Sequence, residues 1–307
     1  MMPSQVVAMT DSRARQAERR SLATGLVEDR ATLLRERVRA GRVAGERVYL
    51  AALLGDVEAE LAMTELEPEA QAMRERLYER RRQCMPPGWL GGTPGLRPSG
   101  DEDDLVNALT LCGWQACVRA GLALGRRAVQ TWERQFYGCS AELGFETWDL
   151  AQRQLCAAWD APRQLWEALR LLVQSCGPVE PVREALQGVV HVYEELIEEL
   201  ARTGSLQTEE GSARLATLDL LVATGGIGVP PEGLSLAQAD SLAQTQTTRL
   251  LRVGPTALGH SLNRPRCRFE IDPRTGVDIM LRTLQEGLVP WLLDRVDPLA
   301  PLPPPGQ

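Results

Sequence analysis

The sequence contains no lysine, and all 34 of its basic residues are arginine. Schiff-base chemistry, the anchoring of pyridoxal phosphate and the P-loop mode of phosphate binding all depend on a lysine side chain, so these chemistries are excluded. The only two histidines are His191 and His260, which removes most His-rich metal sites and leaves few general bases near neutral pH. These absences remove many classes of enzyme.

The sequence also lacks CxxC pairs and long apolar runs. Its seven cysteines are odd in number, which is typical of thiols in a reducing compartment. No run of about 18 apolar residues occurs, and residues 1–20 lack the order of charged and apolar residues that defines a signal peptide. We therefore expect a cytoplasmic protein that does not interact with a membrane.

The charge is negative overall and unevenly distributed. The formal net charge is −7; residues 1–97 contain 16 arginines and 14 acidic residues, and the remainder contains 18 arginines and 27 acidic residues. Nucleic-acid binding needs a basic face that neutralises phosphates, whereas the arginines here alternate with acidic residues along helical segments. The balance excludes a nucleic-acid partner and suits a basic protein.

Apolar residues recur at helical spacing through most of the chain, and this periodicity predicts a mostly α protein. We expect a helical bundle, or an irregular stack of helix pairs, with one short strand or hairpin near the C-terminus. Proline and glycine divide this layout into four parts. The expected parts are an N-terminal helical module (1–85), a Pro/Gly linker (86–100), a main helical domain (101–297) and a Pro-rich tail (298–307).

Local signals place several helix ends. A helix over residues 11–40 is expected to break near Gly25, and the segment GRVAGERVYLAALLGDVEAELAM predicts a helical hairpin in which Gly55 ends one helix and Asp56 caps the next. Residues 105–136 predict one continuous, buried helix whose small residues, Gly121 among them, allow a neighbouring helix to approach closely. RCRFEI predicts a strand over 266–271, and the DPRTG segment after it predicts a turn.

Three tryptophans, Trp148, Trp159 and Trp166, recur at helical spacing. A ligand cage is one interpretation of so many tryptophans. Tryptophans in a helical stripe are more commonly core residues, so we expect these three to be buried structural side chains.

The segment LDLLVATGGIGVPPEG (218–233) resembles the start of a phosphate-binding loop. Such a loop needs a strand, a GxGxxG pattern and a helix that begins at the phosphate. Here the glycines give only GGxG, Pro230 and Pro231 follow, and the preceding residues have helical spacing. We expect the end of a helix there and no nucleotide site.

The helix expected over 182–201 carries acidic residues within one sector: Glu184, Glu194, Glu195 and Glu198. His191 shares this sector, so a metal site is conceivable. Carboxylate-rich metal bundles draw their ligands from several helices, however, and no second helix matches. We therefore predict an exposed acidic face that binds a partner, and no metal ligand.

A second candidate centres on His260, with Ser261 beside it and Asp240 or Asp272 as the acid of a triad. The GxSxG elbow and a recognisable oxyanion loop are both missing. The arginines flanking Cys267 would point away from its thiol in a strand, which favours a structural cysteine. The sequence thus predicts no catalytic residue and no cofactor.

Two stretches, GRVAGERVYLAALLGD and NALTLCGWQACVRAGLALGRRAVQTWERQF, followed by ETWDLAQRQLCAAWDAP, resemble a group of poorly characterised helical proteins from high-GC bacteria such as myxobacteria. Some of these are similar to the immunity proteins of polymorphic toxin systems. The resemblance implies an all-helical body that acts by binding a protein, and it carries no catalytic residues.

Together these features predict a cytoplasmic, non-enzymatic protein-binding module, such as an immunity or adaptor protein. The alternative is a hydrolase or metal-dependent enzyme built around His191 or His260. A pocket in which either histidine meets converging carboxylates favours the enzyme, whereas an exposed His191 favours the binding module.

Overall fold

The computed structural model describes residues 3–66, 100–139, 161–174, 178–263 and 268–294. Helices account for 84% of these residues, which confirms the predicted mostly α fold with a short hairpin near the C-terminus. The described helices are α1 (Pro3–Thr24), α2 (Val27–Arg39), α3 (Gly45–Leu53), α4 (Val57–Glu65), α5 (Gly100–Leu111), α6 (Trp114–Cys139), α7 (161–174), α8 (Glu180–Arg202), α9 (Glu209–Gly228), α10 (Leu236–Leu258) and α11 (Pro273–Leu292).

Contacts divide the chain into two compact units. The first unit contains residues 1–112 and 285–307, and the second contains residues 113–284. Residues 86–99 of the expected linker and the tail at 298–307 lie outside the described residues, so the four-part layout is still a prediction. Trp148, Trp159 and Cys267 also lie outside them.

The first unit contains the predicted helical hairpin. Gly25 and Gly55 both adopt positive φ, +64° and +81°, where they separate α1 from α2 and α3 from α4. The Asp56 carboxylate accepts a hydrogen bond from the Ala59 amide at 2.9 Å and so caps α4. Val48 and Leu50 of α3 are completely buried, as their spacing predicts. The predicted helix ends at Gly25 and Gly55, and the predicted cap at Asp56, are therefore confirmed.

The prediction of one continuous helix over 105–136 is wrong, because the structure has two helices there. α5 ends at Leu111 and α6 begins at Trp114, because Gly113 takes a φ of +90° that breaks the helical path. Spacing alone could not reveal this break, since the apolar positions on either side of Gly113 keep a helical period.

In the second unit, α9 is surrounded by α6, α8 and α10, and twelve of its 20 residues are buried. Small residues allow this packing. A Cβ atom at Gly121 of α6 would meet Thr224 of α9, and one at Gly225 of α9 would lie 2.5 Å from Leu186 of α8. The expected close approach at Gly121 is therefore confirmed.

The hairpin consists of β1 (His260–Asn263) and β2 (Arg268–Ile271), paired antiparallel with His260 opposite Ile271. The prediction of a turn at the DPRTG segment after the strand is wrong, because helix α11 begins there, at Pro273. Asp272 accepts hydrogen bonds from the Arg274 amide at 3.1 Å and the Thr275 hydroxyl at 2.6 Å, the pattern of a helix N-cap followed by proline.

Trp166 of α7 has a structural role. Its side chain is half-buried, and its Nε1 donates to the Leu122 carbonyl at 3.1 Å. This hydrogen bond satisfies the polar N–H group of the ring inside the unit.

Within the described ranges, none of the helices combines the length and the apolar character that a bilayer crossing requires.

Candidate docking surface

Helix α8 presents the predicted acidic residues. Pro181 lies in its first turn, and Gly204, with a φ of +71°, follows its end. Val182, Val189 and Leu200 are buried and fix the rotation of the helix about its axis. The opposite side of α8 therefore faces solvent.

The acidic face, defined here as Glu184, Glu194, Glu195 and Glu198, is exposed at all four positions. Its predicted solvent exposure is confirmed. Glu199 is also exposed, and sequence reasoning missed it although it lies one turn after Glu195. From residue 184 to residue 199 the helix carries five glutamates and no arginine.

His191 shares this exposed surface. Its side chain is 71% exposed, and its Nε2 lies 3.3 Å from Glu195 Oε1, one turn along the helix. Ion pairs of this exposure contribute little to stability. Within the described part of the chain, no three His, Cys, Asp or Glu side chains are grouped closely enough to hold a metal ion.

The carboxylates of α8 have fewer cationic partners than acidic residues elsewhere in the same unit. Asp219 pairs with Arg249, Glu210 with Arg214 and Glu167 with Arg170. Among the described residues, no such arginine pair involves the acidic face. Within the part of the chain that the structure describes, its negative charge is thus not offset by a neighbouring guanidinium, and such a face projects a negative potential outward.

A groove of about 380 Å³ lies beside the acidic face, between α8 and the segment that follows α9. Its apolar lining comes from Leu186, Val190, Val229, Pro230 and Pro231, and its polar lining from Arg183, Gln187, His191 and Glu194. Sequence reasoning missed the groove, because the proximity of residues 186–194 to residues 229–231 depends on the packing of α8 against α9.

The three glycines that precede this groove lie in the last turn of α9, as the sequence predicts. The C-terminal end of a helix presents carbonyl groups and the negative end of the helix dipole, whereas phosphate binds at the positive N-terminal end. Gly225 and Gly228 serve packing instead, since a Cβ at either position would collide with Leu186 or Leu169.

The structure does not assemble a triad around His260. This histidine is buried, with 4% exposure, and its Nδ1 lies 3.4 Å from the Thr256 carbonyl. Burial lowers its pKa. Asp272 caps α11, and its hydrogen bonds from the Thr275 hydroxyl and the Arg274 amide lower the pKa of its carboxyl. Asp240 lies in the first turns of α10, 18 residues before Leu258 at the other end, a separation of about 27 Å along the helix.

Comparison of the chain with protein-family models, with curated proteins and with solved structures gave no match.

Proposed function

We propose that the protein is a cytoplasmic, non-enzymatic binding module that recognises a basic protein through the acidic face of α8. Immunity and adaptor proteins act in this way, and the resemblance to helical immunity proteins of toxin systems supports that class. The odd number of cysteines supports the cytoplasmic location.

The observation that carries the proposal is the run of exposed glutamates from Glu184 to Glu199, which contains no arginine. The second unit as a whole contains 17 arginines and 20 acidic residues, so outside this run arginines outnumber acidic residues by 17 to 15. The acidic character of this unit is therefore concentrated on one helix face. A concentrated patch steers an oppositely charged partner better than the same charge spread evenly.

The physical consequence is an association that depends on salt. Exposed charges separated by more than about 8 Å are largely screened at physiological ionic strength, and the screening length is about 3 Å at 1 M salt. Capture of a basic partner by the acidic face should accordingly weaken as salt is raised. The fold should be little affected, because its core helices are held by buried apolar side chains.

The test is charge reversal on the intact chain. Glu194→Arg, Glu195→Arg and Glu198→Arg together change the net charge from −7 to −1, since each replaces −1 by +1. The matched control reverses Glu60, Asp278 and Glu286, three exposed residues off α8, and gives the same net charge. We expect the first variant to lose the proteins captured by the wild type from native lysate, and the control to retain them.

His191→Ala supplies the comparison with the enzyme alternative. The docking proposal predicts that this change leaves capture intact, since His191 contributes no net negative charge. Retention of every captured protein by the Glu194, Glu195 and Glu198 reversal would contradict the proposal. Native mass spectrometry that finds a stoichiometric metal released by His191→Ala would contradict it as well.

A further inference from the structure

The groove and the acidic face form one continuous surface on α8. Glu194 belongs to both, and His191 lines the groove one turn before Glu195. The groove offers an apolar lining at Val190 and Pro231, and the face beyond Glu194 offers carboxylates at Glu195 and Glu198. A ligand that spans both therefore needs an apolar part followed by cationic groups.

The opposite end of the groove differs in charge. Arg183 lines it there and lies 2.9 Å from Glu232, so this end contains an arginine held in an ion pair, whereas the other end contains Glu194, which has no arginine partner among the described residues. A cationic group is attracted more strongly to the Glu194 end, where Glu195 and Glu198 follow, than to the Arg183 end, where Glu184 stands beside an arginine. The groove thus gives a bound segment a preferred orientation.

Two exposed leucines follow the prolines in sequence. Leu234 and Leu236, 37% and 89% exposed, follow Pro231 in the same loop and the first turn of α10. Leu234 can lie at most about 11 Å from Pro231, because it is three positions further along the chain. A bound segment that continues past Pro231 can therefore reach Leu234.

We propose that the groove holds an apolar side chain of the basic partner and that arginines or lysines of the same segment lie along the acidic face. This inference rests on the proposed function and specifies the segment that is recognised. Along α8, Glu194 and Glu198 lie about 6 and 12 Å beyond Val190. An extended peptide advances about 3.3 Å per residue, so cationic residues two and four positions from the apolar residue reach both carboxylates.

The test uses labelled synthetic peptides and fluorescence anisotropy with the intact protein. The first peptide carries a leucine with arginines at the second and fourth positions from it, and the second peptide replaces the leucine by serine. The first should bind about tenfold more tightly, because a buried leucine side chain contributes roughly this factor or more. Both should weaken with salt.

Gln187→Trp tests the location. Gln187 is an exposed residue on the groove wall, so a bulky side chain there obstructs the groove without changing charge. It should remove the advantage of the leucine peptide and leave the serine peptide unaffected. Gln16→Trp, at an exposed position of α1, is the matched control and should preserve the advantage.

Equal affinity of the leucine and serine peptides for the wild type would overturn the inference, and so would an advantage that survives Gln187→Trp. Either result leaves the proposed function standing if lysate capture still depends on Glu194, Glu195 and Glu198. Loss of that dependence contradicts the proposed function itself, so the two failures are distinguishable.

Discussion

At the scale of single residues, the two histidines show how environment decides chemical role. His191 is exposed beside a carboxylate, and His260 is buried where α10 meets β1. The sequence presents both as candidates for acid–base chemistry. His191 has Glu195 beside it on an exposed helix face, and the acids considered for a triad with His260 are placed elsewhere, because Asp272 is engaged as a helix cap and Asp240 lies far along α10.

The burial of His260 predicts a pH dependence of stability. Because burial lowers its pKa in the folded state, the unfolded chain binds a proton more readily than the folded one. The free energy of unfolding should therefore fall as pH decreases below the unfolded pKa of about 6.5, and His260 should contribute nothing to this slope well above that pH. One group contributes at most about 1.4 kcal/mol per pH unit.

Urea unfolding between pH 7.5 and pH 5 measures this slope, and His260→Gln should reduce it. His191→Gln removes the exposed histidine and should leave the slope as in the wild type. Identical slopes for the wild type and His260→Gln would show that His260 does not resist protonation in the folded protein.

At the scale of elements, glycine sets the distance between α6 and α9. A Cβ at Gly121 would lie 2.5 Å from Cγ2 and 2.9 Å from Cβ of Thr224. Thr224 is completely buried, and its hydroxyl donates to the Leu220 carbonyl at 2.8 Å, so its short side chain has little room to move. Even one methyl group must therefore force the two helices apart.

Gly121→Ala should destabilise the second unit by roughly 1–3 kcal/mol, the usual cost of overpacking a core. Gly188→Ala is the matched control in α8. Its Cβ would lie 3.5 Å from Ala161 Cβ, an ordinary contact, and alanine favours the helix over glycine by about 1 kcal/mol. Chemical unfolding should thus move in opposite directions for the two variants. A stabilised Gly121→Ala protein would refute the close packing.

The same elements show what the sequence can predict. Helix ends that depend on neighbouring residues, such as the Asp56 cap and the Gly25 break, follow from local rules, and so does the exposure of the acidic face. The break at Gly113 and the groove beside Pro230 do not. The first depends on which backbone conformation the glycine takes, and the second on residues about 40 positions apart in sequence.

At the scale of the whole molecule, the first unit unites segments from distant parts of the sequence. Gln285 donates to the Gly55 carbonyl at 3.2 Å. Arg47 of α3 lies with its guanidinium 4.6 Å from the centre of the Trp291 ring, 2.9 Å from Asp294 and within hydrogen-bonding contact of the Trp291 carbonyl. Asp294 has a φ of +53°, a conformation that aspartate tolerates better than most residues. One arginine thus contacts the ring, the backbone and a carboxylate beyond residue 290.

Arg47→Ala should therefore destabilise the first unit by roughly 1–3 kcal/mol, through the lost cation–π contact and the lost charged hydrogen bonds. The stability of Arg47→Lys should fall between those of the wild type and the alanine variant, because an ammonium keeps the charge and loses the planar, forked contact.

In Arg47→Ala, hydrogen exchange should show amides of 45–66 and 285–293 losing protection together, while amides of α9 keep theirs. Arg13→Ala, at an exposed position of α1, is the control and should leave both sets unchanged. If Arg47→Ala instead lowers protection in α9 as much as in α3, the two units do not unfold separately and the contact acts on the whole chain.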